Sequence, residues 1–152
     1  RVSITDRCNF RCVYCMPEQG FPCTPKEEHL TLAEMARLVR IAMQLGIRKV
    51  RLTGGEPLVR RDLTELVQAL SDAEDLSLTT NGHLLAERAH ELKRAGLHRV
   101  NVSLDTLDPE RFVAIARRGS LGTVLEGIRG ARAAGLRSFQ QWALALKPLH
   151  AR

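Results

Sequence analysis

The chain has 152 residues, of which 44% are hydrophobic, and a formal net charge of +6 at pH 7. This length is that of one ordinary domain, the composition argues against disorder, and no apolar run approaches the roughly 20 residues of a membrane helix. The basic residues are scattered and only 4% of the residues are aromatic. We therefore expect a solvated basic surface and no nucleic-acid partner.

The first predicted element is a short strand over residues 1–5, where polar and apolar residues alternate. Three cysteines follow within eight residues at C-x3-C-x2-C spacing, namely Cys8, Cys12 and Cys15. Soft thiolates select iron–sulfur clusters, zinc or copper(I). Three ligands on one loop can hold a cubic cluster and leave one iron without a protein ligand, where chemistry can take place.

A structural zinc site completed by Cys23 or His29 is the alternative that the cysteines alone leave open. Only motifs later in the sequence can distinguish an iron–sulfur cluster with an open iron from a structural zinc site. Clustered cysteines in a chain without a recognisable secretion signal favour metal binding in a reducing compartment over a disulfide framework. We therefore expect a cytoplasmic protein.

The next predicted element is a helix, opened by the capping box that Thr31 forms with Glu34 and closed by Gly46. Its predicted apolar stripe consists of Leu32, Met35, Leu38, Val39, Ala42 and Met43. Three strands are then predicted, over residues 49–53, 76–80 and 99–104, and each ends in a polar or glycine-rich turn. Four helices are predicted between and after these strands. Asp62 is predicted to cap the first, the second begins at about Leu84, the third begins with Asp108 as cap and Pro109 as first helical residue, and the fourth begins at about Thr123.

Each predicted strand has one apolar and one polar face. Val50 and Leu52 alternate with Arg51 and Thr53, and the next two strands repeat this pattern. Strands of an open sheet covered by helices on both sides are usually apolar throughout. Polar faces that converge on a ligand instead indicate a complete or partial (βα) barrel, with its site at the carboxyl ends of the strands.

Four motifs in this order carry a family resemblance: TDRCNFRC with YCMP at 5–17, LTGGEPL at 52–58, TTNG at 79–82 and VNVSLD at 100–105. They resemble the motifs of radical S-adenosylmethionine (SAM) enzymes and, within these, are similar to those of the GTP 3′,8-cyclases. The resemblance implies an α/β fold of the partial (βα) barrel type, truncated here to roughly four to five βα units. It runs from residue 1 to about residue 135.

The resemblance also implies a set of site residues. A 4Fe-4S cluster would be held by Cys8, Cys12 and Cys15, and SAM would chelate its open iron. The residues expected to contact SAM are Tyr14, Gly55 and Ser103, with Glu56 as an acceptor for its ammonium group. No catalytic residue is expected beyond the cluster and SAM.

GTP is the substrate that the resemblance implies, and the residues expected to contact it are Arg1, Arg51 and Thr79. An arginine that points into a barrel is costly to bury without an anion, and its guanidinium fork suits phosphate. An ion pair with Asp105 or Glu56 is the alternative for these arginines. The implied reaction is that of a radical SAM lyase, which converts GTP to (8S)-3′,8-cyclo-7,8-dihydroguanosine 5′-triphosphate in molybdenum cofactor biosynthesis.

The implied partners are a second copy of the chain and the cyclic pyranopterin monophosphate synthase that takes the product, with no membrane involved. Two other functions stay open. One is another radical SAM enzyme that modifies a peptide or a cofactor, and the other is a non-catalytic metal-binding fragment.

The family pattern breaks near the carboxyl end. Gln140 stands where the cyclases have a GTP-contacting lysine, and the segment with a second cluster is missing. We therefore predict a radical SAM core over residues 1–136 and a divergent tail over 137–152. The tail from about residue 138 has consecutive apolar residues and is expected to form no proper fifth strand. Such a fragment is expected to bind SAM without turning over GTP.

Overall fold

The computed structural model of the chain describes residues 1–141, apart from the side chains of Lys26 and of residues 138–141. Strands and helices alternate as predicted: β1 Val2–Ser3, α1 Leu32–Gln44, β2 Lys49–Thr53, α2 Leu63–Ala69, β3 Asp75–Thr80, α3 Leu85–Arg94, β4 Arg99–Ser103, α4 Pro109–Ala116, α5 Leu121–Ala133 and β5 Arg137–Gln141. The five strands form one parallel sheet in chain order, β1-β2-β3-β4-β5. The predicted α/β fold is confirmed, and each strand is followed by its loop at the same edge of the sheet.

The core lies between the sheet and the helices. Its strand residues are the predicted apolar ones: Val50, Leu52, Leu76, Leu78, Val100 and Val102, all buried. The alternate positions lie on the other face, where Arg51 and Thr79 are half-buried and Ser103 is exposed. Ser77 and Asn101 on this second face are buried. One face is therefore packed against the helices, and the other is polar and only partly accessible to a ligand.

Three of the five helices in the described part of the chain begin at a residue whose side chain accepts a hydrogen bond from a backbone amide in the first turn. Thr31 accepts from the amide of Glu34, whose carboxylate accepts from the amide of Thr31, which completes the predicted capping box. Asp108 accepts from the amide of Arg111 at the start of α4, and Pro109 is the first residue of that helix. The predicted stripe of α1 was wrong at one position, because Leu38 is 54% exposed.

Asp62 precedes α2 as predicted, but its side chain makes no capping hydrogen bond in the described structure. Its two carboxylate oxygens instead accept from Arg60 Nε at 2.7 Å and Nη2 at 3.0 Å. The same guanidinium donates through Nη1 to the carbonyl oxygen of Ile4 at 2.7 Å. A charged bidentate partner outcompetes a backbone amide here, and the pair ties the start of α2 to the end of β1.

The expectation that residues from about 138 form no proper fifth strand was wrong for residues 138–141. They pair in parallel with β4, from Arg99 opposite Arg137 to Ser103 opposite Gln141. Strand pairing uses backbone donors and acceptors, so the unpaired edge of β4 can recruit a segment whose side chains do not alternate. The consecutive apolar residues 142–146 lie outside the described part of the chain.

Over the described residues, no helix is both long enough and apolar enough to cross a membrane. The longest helices, α1 and α5, have 13 residues each. A span of the hydrocarbon core needs about 20 residues.

Candidate functional site

The loops that follow β1, β2 and β3 meet at one edge of the sheet, where β4 also ends. The first is the cluster loop, which we define as residues 6–16. The second is the Gly-Gly-Glu-Pro turn at 54–57, and the third is the Asn81-Gly82 turn. Strand register brings their bases side by side, with Val2 opposite Leu52 and Leu52 opposite Leu78. All four motifs singled out in the sequence therefore lie at one end of the fold.

Cys12 and Cys15 lie on one tight turn of the cluster loop, and Cys8 lies four residues before Cys12. The amides of Cys15 and Met16 both donate to the carbonyl oxygen of Cys12, at 2.9 and 3.0 Å, and the amide of Phe10 donates to Cys8 Sγ at 3.4 Å. Cys8 and Cys12 are half-buried, Cys15 is exposed, and no disulfide joins cysteines within residues 1–141. An amide directed at a cysteine sulfur is a common feature of iron–sulfur sites.

Burial raises the pKa of the Cys8 and Cys12 thiols above the ordinary value. The charges of the neighbouring groups add to this effect, because each of these two sulfurs lies close enough to Cys15 to be influenced by it. Three thiolates on one short loop repel one another, and a cation bound by all three relieves this repulsion. The donor set therefore fits a cationic cluster with soft-ligand preference.

The cluster loop is anchored on α4. Its amides at Arg11 and Val13 donate to the carbonyl oxygens of Ala116 and Ile115, both at 3.0 Å. Phe10 is buried, and its ring stands edge-on to that of Phe112 at 5.9 Å. The loop is thus fixed by an element more than 100 residues further along the chain, which local sequence patterns could not reveal.

The two glycines of the Gly-Gly-Glu-Pro turn make room for the cluster loop itself. A Cβ on Gly54, whose φ is +143°, would stand 2.3 Å from the carbonyl oxygen of Thr5, and one on Gly55 would stand 2.3 Å from that of Arg7. The Gly55 amide donates to Thr5 O at 2.8 Å. The close approach that the sequence indicated is therefore an approach to the chain's own backbone, with Gly55 exposed beside it.

Glu56 is not the open acceptor that was expected. Its side chain is 1% exposed, and burial raises the pKa of its carboxyl group. Oε1 accepts from the amide of Leu58 at 2.9 Å and from Thr80 Oγ1 at 2.8 Å, and Oε2 accepts from the amide of Asn81 at 2.7 Å. Three donors from the protein already occupy this carboxylate.

Tyr14 and Ser103, two of the predicted SAM contacts, line one small cavity of about 50 Å³. Cys12 and Asp105 also line it. Tyr14 Oη donates to Asp105 Oδ2 at 2.7 Å, and partial burial raises the pKa of the Tyr14 phenol. The structure therefore brings the cluster loop and the end of β4 together around a recess whose lining is mostly apolar, with a few polar side chains.

The predicted GTP contacts are residues on the polar face of the sheet. Arg51 faces Asn101, whose amide oxygen, once oriented toward the guanidinium, accepts from Nε and Nη2 at 3.3 Å each. The alternative ion pair of Arg51 with Asp105 or Glu56 is not found among the described side chains. Arg1 is exposed and Thr79 half-buried on this face. The side chain of Gln140 is not described.

Within the part of the chain that the structure describes, no three His, Cys, Asp or Glu side chains converge to hold a single metal ion. Cys23 is exposed, and His29 Nε2 lies 3.8 Å from Asp6 Oδ2. A cubic cluster binds its three cysteines through three different irons, so its ligands need not meet at one point.

A parallel βα sheet whose first loop carries three cysteines defines a class of iron–sulfur enzymes with a partial barrel. The family model described as "Radical SAM superfamily" matches residues 2–143, and the chain belongs to this superfamily. Its cofactors are accordingly a 4Fe-4S cluster and SAM. The residues present fit both groups, because the cluster loop carries three thiols and one of them, on Cys12, lines the recess that Tyr14 and Ser103 also line.

Curated relatives are identical to this chain at about half of the aligned positions. A GTP 3′,8-cyclase of Peptoclostridium acidaminophilum is 53% identical over 139 residues, which are 90% of this chain and 43% of the relative. A GTP 3′,8-cyclase of Heliobacterium modesticaldum is 55% identical over 139 residues, and one of Marinobacter nauticus is 50% identical over 149 residues. The chain thus spans less than half the length of these relatives.

Solved structures confirm the fold. Methylornithine synthase aligns with a TM-score of 0.75 at 18% identity, over 91% of this chain and 42% of that one. SuiB of Streptococcus suis, in a structure bound to S-adenosylmethionine, aligns with a TM-score of 0.72 at 19% identity, over 92% of this chain and 31% of that one. The predicted partial barrel of radical SAM type is therefore confirmed as the fold of the described chain.

Proposed function

We propose that this chain is the SAM-binding part of a GTP 3′,8-cyclase. The observation that carries the proposal is the 50–55% identity to relatives of that name over at least 90% of the chain. The activity belongs to the whole protein, and the chain supplies its cluster site, its SAM site and part of its GTP site.

The cluster site consists of Cys8, Cys12 and Cys15. Their place on one short loop, the turn that joins Cys12 and Cys15, and the amide directed at Cys8 Sγ suit a 4Fe-4S cluster with one open iron. When bound, the cluster and SAM together supply a 5′-deoxyadenosyl radical. The loop holds this chemistry at the sheet edge because α4 anchors it there.

The SAM site consists of Tyr14, Gly55 and Ser103. Tyr14 and Ser103 line the recess beside Cys12, and Asp105 accepts a hydrogen bond from the phenol of Tyr14. Gly55 is exposed next to the cluster loop, where its backbone can meet a ligand that a side chain would exclude. These groups bind and orient, and none of them needs to exchange a proton.

The GTP site in this chain consists of Arg1, Arg51 and Thr79 on the polar face. Val2 lies opposite Leu52, so Arg1 and Arg51 precede paired residues and stand side by side. Two guanidinium groups without an acidic partner among the described side chains suit a triphosphate. The whole protein would convert GTP to (8S)-3′,8-cyclo-7,8-dihydroguanosine 5′-triphosphate in molybdenum cofactor biosynthesis.

Three further points belong to the proposal by family resemblance. The protein acts in the cytoplasm, it forms a homodimer, and its product passes to cyclic pyranopterin monophosphate synthase. The proposal also includes a divergent tail over residues 137–152, in which Gln140 stands at the position of the GTP-contacting lysine of the cyclases. The chain alone therefore binds SAM and cleaves it reductively without cyclising GTP.

The test uses the whole chain after anaerobic reconstitution with iron and sulfide. With dithionite as reductant, we expect 5′-deoxyadenosine from SAM and no cyclised GTP product by mass spectrometry. GTP binding is measured in parallel by calorimetry on the same sample. Zinc with no iron uptake would overturn the radical SAM assignment, whereas SAM cleavage without any GTP binding would favour a radical SAM enzyme for a peptide or cofactor.

A further inference from the structure

The carboxylate of Glu56 joins two of the three loops at the site. Its own backbone amide donates to the carbonyl oxygen of Arg7 at 2.7 Å, which ties the Gly-Gly-Glu-Pro turn to the cluster loop. Its side chain turns inward and accepts from Thr80 Oγ1 and from the amide of Asn81. A buried carboxylate with this many donors holds their positions closely, because losing any of them leaves charge unmatched.

Asn81 forms a hydrogen bond with the cluster loop. Its Nδ2 donates to Asn9 Oδ1 at 2.7 Å, and its Oδ1 accepts from the amide of His83 at 3.0 Å, so both ends of its amide are engaged. Asn9 lies directly after Cys8. The hydrogen bonds run from Arg7 to Glu56, from Glu56 to Asn81 and from Asn81 to Asn9, and they form a closed ring around the entry of the cluster loop.

We propose that Glu56 is a positioning residue, which acts through Asn81 on Asn9 to set the cluster loop against the carboxyl ends of β2 and β3. In this role it does not bind the ammonium group of SAM. Both of its oxygens are occupied by protein donors, and its side chain is closed off from solvent. This inference deepens the proposed function. Its test by SAM binding rests on that function, whereas its test by hydrogen exchange does not.

The first test measures the ring itself in the metal-free chain. In Glu56→Gln the amide oxygen can keep the bonds from Leu58 and Thr80, but the amide nitrogen then faces the N–H of Asn81, donor against donor. Hydrogen exchange at the Asn81 amide should accelerate at least about tenfold, while the Leu58 amide stays protected. Unchanged protection at Asn81 would overturn the ring.

The second test separates positioning from ligand binding with a matched pair at Asn9. Asn9→Asp keeps an acceptor for Asn81 Nδ2, whereas Asn9→Leu has a similar size and no acceptor. We expect Asn9→Leu to weaken SAM binding on the order of tenfold, to the same extent as Glu56→Gln, and Asn9→Asp to bind SAM like the unaltered chain. The electron paramagnetic resonance spectrum of the reduced cluster, recorded with and without SAM, should shift in the same two variants only.

The outcomes are distinct. Weak SAM binding in Glu56→Gln together with normal binding in Asn9→Leu would show that Glu56 contacts SAM, and the proposal would be wrong. Equal weakening in all three variants would indicate general loss of structure and also contradict it. If the unaltered chain takes up no cluster, the proposed function fails, while hydrogen exchange at Asn81 still decides whether the ring exists.

Discussion

The two ends of the sheet differ in whether their polar and charged groups find partners within the protein. At the carboxyl ends of the strands, a ring of hydrogen bonds satisfies its donors and acceptors within the chain. It consists of the carbonyl oxygen of Arg7 and the residues Glu56, Asn81 and Asn9. Toward the amino ends, register places four arginines in one row, interrupted by Ser77: Arg1, Arg51, Arg99 and Arg137. We call these four arginines the basic row. Among the described side chains, Asp75 forms an ion pair with one of them, Arg99.

This difference indicates which half of the site is complete in the chain. A network whose donors and acceptors match one another is stable without a ligand. A row with more cations than anions repels itself and gains stability when an anionic group binds across it. The ring therefore suits a site that is preformed for the cluster and SAM, and the basic row suits a phosphate-bearing substrate.

The largest expected effect is on the cluster loop. Replacing any one of Cys8, Cys12 or Cys15 by alanine should reduce iron from about four per chain to background, because an open iron leaves no spare protein ligand. Cys23→Ala is the matched control and should keep a full cluster. Iron and sulfide analysis with the visible absorption spectrum measures both. A full cluster in any of the three loop variants would contradict the assignment.

The second prediction concerns the packing that supports the ring. Gly55→Ala should lower the free energy of unfolding by about 1–3 kcal/mol, because the new methyl group would collide with the carbonyl oxygen of Arg7. Gly122→Ala in α5, where a Cβ meets only Ser120 Oγ at 3.9 Å, should instead raise stability by about 0.5–1 kcal/mol. Urea unfolding of both variants checks this. Equal effects would show that the turn does not pack as described.

The third prediction concerns the basic row. Arg51→Gln should weaken GTP binding about tenfold, since a bidentate charged contact to phosphate is lost. Arg37→Gln removes the same charge from the exposed face of α1 and should leave affinity nearly unchanged. Calorimetric titration at two salt concentrations measures the difference. If both substitutions weaken binding equally, net charge and not the row attracts GTP.

The smallest effect is a pH dependence in the basic row. Arg99 donates to Asp75 at 2.7 and 2.8 Å, and this contact holds the pKa of the Asp75 carboxyl below its ordinary value of 3.8. The pair therefore stabilises the fold above the unfolded-state pKa, and this contribution is lost as pH falls through the lowered folded pKa. Asp75→Asn should cost about 1 kcal/mol at pH 7 and flatten the stability curve below pH 4. Urea midpoints between pH 7 and pH 3 measure this slope, and an unaltered slope would contradict the pairing.

Local chemistry made most of the fold predictable from the sequence. The Thr31–Glu34 capping box and the Asp108-Pro109 start involve residues at most a few positions apart, so their geometry follows from the chain itself. Alternation gave the buried positions of β2 to β4 for the same reason. The cysteine spacing likewise indicated the cluster loop.

The remaining features depend on partners that are distant in sequence. Asn81 meets Asn9 across 72 positions, and Tyr14 meets Asp105 across 91. No local pattern predicts such a contact. The inward turn of Glu56 was missed for this reason, and the capping role given to Asp62 failed because Arg60 offered a stronger partner. The strand at 138–141 was missed because an open sheet edge attracts a segment through its backbone.

The strand order has a consequence for how the chain folds during its synthesis. Because β1 to β5 lie in the sheet in the order of translation, each new strand docks on the edge that the previous one left. Every member of the ring lies within the first 81 residues, and the anchoring carbonyl oxygens on α4 follow by residue 116. A nascent chain that folds from its amino end can therefore complete the cluster pocket while later segments are still in the ribosome.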